Sequence, residues 1–271
     1  MLAGAVPGVC TVSGKSFFKT FDGKFYNFDA DCTYKLAGDC QDDTFSIYAT
    51  PGGRCNTQVC YRSVGLTLGD VDIKLEKGRT FVGGKKVTLP HNEKNILIRQ
   101  VDSYVLVSGY NELVVYFDGI SSVYINMPDS YKGKTCGLCG NFNDNHDDDF
   151  QTKGGKATTS VTEFGNSWQA PALGKTCKPV PPTKPVYPTL PDETKDEIDY
   201  NCEKLKGQRA FKPCHSVVDP HHFIEQCRED LARCDKKRYL ACMCDSFTQY
   251  SRQCTRKGVT LSWRSASQCR K

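Results

Sequence analysis

Residues 135–150 read TCGLCGNFNDNHDDDF, and two kinds of chemistry are packed into the stretch. Cys136 and Cys139 form a C-x-x-C, the spacing of a redox dithiol or of half a zinc site. Directly after it, Asn141, Asn143 and Asn145 stand at alternate positions, followed by Asp148 and Asp149. Hard oxygen donors at alternating positions suit Ca2+, which takes about six to eight oxygens in an irregular shell. The loop is not an EF-hand, since His146 stands where that loop needs Gly and Thr152 where it needs Glu. Mg2+ fits less well, because it keeps most of its waters. Spacing alone leaves three readings open: a dithiol, a calcium loop, or an Asn/Asp-rich turn in water.

The composition narrows the first choice. Sixteen cysteines, an even number, indicate a disulfide framework made in an oxidising compartment. Zinc would need a second C-x-x-C or a histidine pair at ligand spacing, and neither occurs. No apolar run approaches the roughly 18 residues of a membrane span. The opening MLAGAVPGVC lacks the basic start and long apolar core of a signal peptide, so a secretory signal is expected elsewhere. The net charge is +5, and its basic excess lies in residues 178–271. Those basic residues are scattered and not interleaved with aromatics, which reads as solvated helix faces and not as a nucleic-acid groove. No N-x-S/T sequon is present.

The elements that must position these side chains fall into two halves. The segment 178–191, KPVPPTKPVYPTLP, has six prolines and predicts an extended spacer. Eight cysteines lie on each side of it, so each half can close its own bonds. Before it, Val64–Leu75 and Tyr104–Val107 are β-like by alternation or by richness in Val, Ile and Tyr. Turn signals at Gly83-Gly84, Gly109-Tyr110-Asn111 and Asp118-Gly119 separate the runs, and Ile96–Met127 reads as three successive strands of a β-sandwich. After the spacer, Asp219-Pro220 opens a helix with Phe223, Cys227, Leu231 and Cys234 on one face. Leu240, Phe247, Tyr250 and Cys254 suggest another, ended by Gly258. The expected fold is therefore α+β by domain: a disulfide-rich antiparallel β-sandwich followed by a small disulfide-stapled α-helical domain.

The opening CTVSGKSFFKTFDGKFYNFDADCTYKLAGDC, the closing TCGLCGNFNDNHDDDF and the later FGNSW together resemble the von Willebrand factor type D domain. PCHSVVDPHHFIEQC and the CMC…YSRQC…GVTLSWRSASQC pattern resemble the eight-cysteine domain that follows it in von Willebrand factor, gel-forming mucins and related secreted adhesive proteins. The resemblance implies an N-terminal extension at 1–9, a type D domain at 10–177, a proline-rich linker at 178–195 and an eight-cysteine domain at 196–271. It implies one Ca2+ held by Asp22, Asn141, Asn143, Asp148 and Asp149, with Asn145 giving its backbone carbonyl. It also implies the pairs Cys10–Cys139, Cys32–Cys177, Cys40–Cys136 and Cys55–Cys60, and favours Cys202–Cys227 and Cys214–Cys254. Cys234, Cys242, Cys244 and Cys269 remain unassigned, with Cys242 and Cys244 as candidates for interchain bonds. The cluster before the C-x-C is sparser than in the family's assembly domains, which places covalent multimerisation by this stretch in doubt.

These readings imply a secreted, extracellular, calcium-binding structural module. Its partners would be sister domains, other extracellular proteins or a second copy, with no nucleic acid and no membrane insertion. The second function the resemblance suggests is thiol–disulfide exchange through CGLC during assembly. Type D domains also occur beside lipid-carrier and proteinase-inhibitor modules, but the eight-cysteine half argues against a lipid carrier. No catalytic residue is predicted: G-x-S-x-G, H-E-x-x-H and paired Cys/His arrangements are all missing from the sequence. His146, lying among the calcium ligands, would place a cation beside the metal if protonated near pH 6.

Overall fold

The structure, a computed structural model, describes residues 8–14, 16–29, 32–52, 61–109, 111–170, 177, 190–232, 234, 239–265 and 268–269. The chain forms two compact units that divide near Pro182. The expected Cys55–Cys60 bond and residues 178–189 of the linker lie outside the described residues.

The first unit is built from alternation. In Arg62–Leu68 and Val71–Glu76 every second side chain is buried, the signature of strands with one face on a core. Fifteen strands are described: β1 (Gly8–Ser13), β2 (Phe17–Lys19), β3 (Phe25–Asn27), β4 (Tyr34–Asp39), β5 (Phe45–Pro51), β6 (Arg62–Leu68), β7 (Val71–Glu76), β8 (Arg79–Val82), β9 (Lys85–Val87), β10 (His91–Glu93), β11 (Ile96–Val101), β12 (Tyr104–Ser108), β13 (Val114–Phe117), β14 (Val123–Met127) and β15 (Thr135–Cys136). They form an eight-stranded sheet, β10-β11-β12-β13-β14-β1-β2-β3, and a seven-stranded sheet, β15-β4-β5-β6-β7-β8-β9. Every pairing is antiparallel. One apolar core fills the unit, with Val12, Phe18, Leu36, Ile47, Val64, Leu66, Ile73, Val115, Phe117 and Ile125 almost fully buried. Each such side chain contributes about 1.5–3 kcal/mol by leaving water.

Two details differ from the sequence reading. Residues 96–127 hold four strands where three are expected, because Val101 pairs with Tyr104 and leaves Asp102-Ser103 as a tight turn. Asp102 takes φ 53°, a left-handed conformation that Asp tolerates. At the other end, Gly8 and Val9 already pair with Met127 and Asn126, so the first strand begins inside the expected N-terminal extension.

The second unit is helical: α2 (Asp192–Cys202), α3 (Lys204–Gly207), α4 (His221–Ala232) and α5 (Tyr239–Arg256), numbered after the short α1 (Val161–Ser167) of the first unit. Helix α2 begins right after Pro191, within the expected linker, with Asp192 and Glu193 placed favourably in its first turn. Asp219 accepts the backbone N–H of His221 and opens α4, while Gly258 at φ 82° follows the end of α5. Phe211, Phe223, Phe247, Tyr250 and Trp263 form an aromatic core. Leu240, read from periodicity as core-facing, is 58% exposed; Met243 fills the buried position in the first turns of α5. Arg228 pairs with Asp199 and Glu203, linking α4 to α2 and the residue that follows it.

Candidate metal centre and disulfide framework

The turn after β2 and the loop after β15 meet. Thr20-Phe21-Asp22-Gly23 is a tight turn, closed by Gly23 N–H on the Thr20 carbonyl at 3.2 Å, with Gly23 at φ 97°. Phe21 donates its N–H to the Cys139 carbonyl at 2.9 Å, and this brings Asp22 to the loop. The two Asp22 carboxylate oxygens accept the backbone N–H groups of Asn143 and Asp144, each at 2.9 Å. Phe142 and Asp144 take positive φ, so the loop backbone curls around that carboxylate.

Asp149 lies deeper, 1% exposed. Its Oδ2 accepts the Thr20 hydroxyl at 2.6 Å and its Oδ1 the Asn141 N–H at 3.3 Å. Burial, with the neighbouring Asp22 charge adding to it, pushes the Asp149 carboxyl up to about 7 against the lowering effect of the Thr20 hydrogen bond. Burial first, and then the Asp149 charge, raise the Tyr26 phenol well above its ordinary value. Gly140 permits the approach: a Cβ there would stand 1.9 Å from Asp149 Oδ1, and its φ is 81°.

The six expected ligands divide. Asp22, Asp149 and Asn141 converge, and Asn141 Oδ1 is buried with no hydrogen-bond donor. The other three are engaged within the loop. Asp148 accepts the side-chain amides of Asn141 and Asn143 at 3.0 and 2.9 Å. Asn143 Oδ1 accepts the Asn145 N–H, and Asn145 Oδ1 accepts the Asp147 N–H. Among the described residues no three His, Cys, Asp or Glu side chains gather as a metal-holding group. The exposed His146 ring pairs with Asp147 at 2.8 Å. The donor set of Asp22, Asp149 and the orphaned Asn141 oxygen is all hard oxygen, and a divalent cation would relieve the carboxylate repulsion and satisfy the orphan. Thr20 and Gly140 are parts of this arrangement that the sequence reading left without a role, although Thr20 stands in the quoted TFDG.

The cysteines of CGLC go separate ways. Cys139 bonds to Cys10 on β1 and Cys136 to Cys40, just beyond β4, so the two do not pair with each other. Cys32 bonds to Cys177, closing a sequence separation of 145 residues. In the second unit Cys202 joins Cys227 and Cys214 joins Cys254. The candidate interchain cysteines are a correction: Cys242 bonds to Cys234 and Cys244 to Cys269, both within the chain. Residues two apart on a helix point to nearly opposite sides, which explains why these two take different partners. No free cysteine remains among the described residues.

Comparison with known proteins follows this division. The von Willebrand factor type D domain model matches residues 10–156, and the C8 domain model matches residues 201–270. The chain is similar to Mucin-2 of Homo sapiens (33% identical over 97% of this chain) and to von Willebrand factor of Bos taurus (34% over 97%). It is similar also to Otogelin-like protein of Homo sapiens (31% over 95%). It spans only 5%, 28% and 11% of the lengths of these relatives. With more than half of its residues matched by one family model and most of the remainder by a second, the chain belongs to the von Willebrand factor type D domain family and carries a C8 domain after it.

Proposed function

We propose that this chain is a calcium-stiffened, disulfide-locked structural module of a secreted, extracellular adhesive or mucin-like protein, and that it works without catalysis. Its role is to present rigid surfaces to sister domains, to other extracellular proteins or to a second copy of itself. Similarity to a mucin and to von Willebrand factor supports the class of parent protein. The density of closed disulfides supports the compartment.

The observation that carries the calcium reading is the meeting of Asp22, Asp149 and the unpaired Asn141 oxygen across the unit. Asp22, Asn141 and Asp149 would hold the ion directly. Asn143, Asp148 and the Asn145 carbonyl would complete the shell once their internal hydrogen bonds exchange for the metal. Bound calcium supplies positive charge and a cross-link between the early turn and the late loop. Because it binds only the folded chain, it stabilises in proportion to the logarithm of its concentration.

The test is calorimetric melting of the full chain in chelator and in millimolar calcium, beside Asp22→Asn. We expect the melting temperature to rise with calcium in the parent and to rise much less in the variant. A parent whose melting temperature ignores calcium would refute the reading.

A further inference from the structure

The outward face of the seven-stranded sheet carries a row of side chains that the core does not use. Cross-strand register aligns Lys35 (β4), Tyr48 (β5), Gly65 (β6), Lys74 (β7), Phe81 (β8) and Lys86 (β9) in one line over six strands. Along their strands they alternate with buried residues such as Leu36, Ile47, Leu66, Ile73 and Val82, so they stand on the side away from the core. Strands lie about 4.8 Å apart, which makes the line about 24 Å long. Lys74 and Lys86 are exposed, and Tyr48 and Phe81 are half-buried.

Three features make this row more than a solvated face. Its cations fall on the first, fourth and sixth strands, about 10–14 Å apart, with a ring in each interval. Between Tyr48 and Lys74 the row has a notch, because a Cβ added at Gly65 would meet nothing within 4 Å. Hydroxyls flank it, Ser46 and Thr67 in the row on one side, Thr50 and Ser63 on the other. At the β4 end, Lys35 lies over Gly38 and borders a cleft of about 500 Å³ that Tyr48 and Lys153 share with three carboxylates, Asp39, Asp43 and Asp149.

The complement of this pattern is an extended polymer with widely spaced anionic groups separated by flat, hydroxylated rings whose C–H faces rest on aromatics. We propose that this face binds an acidic polysaccharide, laid across the strands. Its sugar rings stack on Tyr48 and Phe81, and its sulfate or carboxylate groups pair with Lys35, Lys74 and Lys86. Two carboxylates share the face, Glu76, which Lys74 and Arg79 meet at 2.7 and 2.8 Å, and Asp72, which accepts the Thr67 hydroxyl at 2.8 Å; Lys35, Lys74, Arg79 and Lys86 outnumber them. A nucleic acid fits worse. Its duplex keeps the base rings stacked inside, away from Tyr48 and Phe81.

The test uses the whole chain in calcium, on immobilised heparin in a salt gradient and in titrations with hyaluronan, neutral dextran and single-stranded DNA. We expect heparin to be retained at physiological salt and dextran to be ignored. The triple variant Lys35→Ala, Lys74→Ala, Lys86→Ala is expected to bind heparin about tenfold or more weakly. Gly65→Glu, which fills the open notch without touching the core, should weaken it similarly, while Arg256→Ala with Lys257→Ala in the second unit should not. Hyaluronan binding as well as heparin would identify carboxylate as sufficient; heparin alone would identify sulfate. Unchanged heparin binding in both the triple variant and Gly65→Glu would overturn the proposal, as would DNA of matched charge competing equally.

Discussion

The hydroxyl of Thr20 donates to the buried carboxylate of Asp149 at 2.6 Å, joining residues 129 positions apart. This bond fastens the turn after β2 to the loop that follows CGLC. Thr20→Val keeps the shape and removes the donor, and it leaves a buried carboxylate short of one partner. We expect a loss of about 1–3 kcal/mol of unfolding free energy in urea titration. A variant as stable as the parent would mean that the bond is structurally idle.

The same carboxylate predicts a pH dependence. Asp149 is pushed up to about 7 in the folded chain, chiefly by burial, against about 3.9 in an unfolded chain. The folded state therefore binds this proton more tightly. The resulting stability is full below pH about 4 and is lost as pH rises through about 7. In chelator, the urea midpoint of the parent should fall relative to Asp149→Asn as pH goes from about 5 to about 8. A difference that stays flat or grows in the parent's favour would contradict the assignment.

Gly140 and Gly65 make a matched pair of opposites. Gly140→Ala forces a Cβ into Asp149 at a φ of 81°, whereas Gly65→Ala adds one into open space. Strain plus displacement of a buried carboxylate should cost Gly140→Ala more than about 2 kcal/mol. Gly65→Ala should stay within about 0.5 kcal/mol of the parent. Equal melting temperatures for the two variants would count against the packing described around Asp149.

The two bonds of CGLC should differ in reducibility. Cys10 and Cys139 are both fully buried, whereas Cys40 is exposed and Cys136 partly so, with Lys35 Nζ 3.8 Å from Cys40 Sγ. Access and a nearby cation both favour attack that releases Cys40 as a thiolate. Under limiting reductant and rapid alkylation, label should appear at Cys40 and Cys136 before Cys10 and Cys139. Mass-spectrometric mapping reads the order, and simultaneous labelling would refute it.

Where the sequence was legible, a local signal agreed with burial. Strict alternation in β6 and β7, the Asp219 cap and Gly258 all act within a few residues, and the elements follow them. The misreadings came where local pattern left tertiary context undecided. Asp102-Ser103 holds neither Gly nor Pro, so a two-residue turn hid inside what looked like one strand. Leu240 has helical spacing but sits in the first turn of α5, where the buried stripe begins only at Met243. Within the candidate metal centre the oxygen-rich loop was visible as composition, while the convergence of Asp22 with Asp149 is a long-range contact that the sequence suggested only through resemblance. Gly140 gave no signal, because its need arises from a side chain nine positions away.

The Cys32–Cys177 bond has a mechanical consequence. Tension entering at β1 and leaving at Cys177 passes through that covalent link and bypasses every residue between its ends. The contour that can pay out is limited to the stretch from Cys10 to Cys32, which contains β2, β3 and the turn bearing Asp22. Even that slack is bridged by a shorter covalent path, from Cys10 to Cys139, three residues to Cys136, across to Cys40 and eight residues to Cys32. Pulled from its ends, the first unit should thus release no more than about eleven residues of contour, and the turn bearing Asp22 stays off the loaded path.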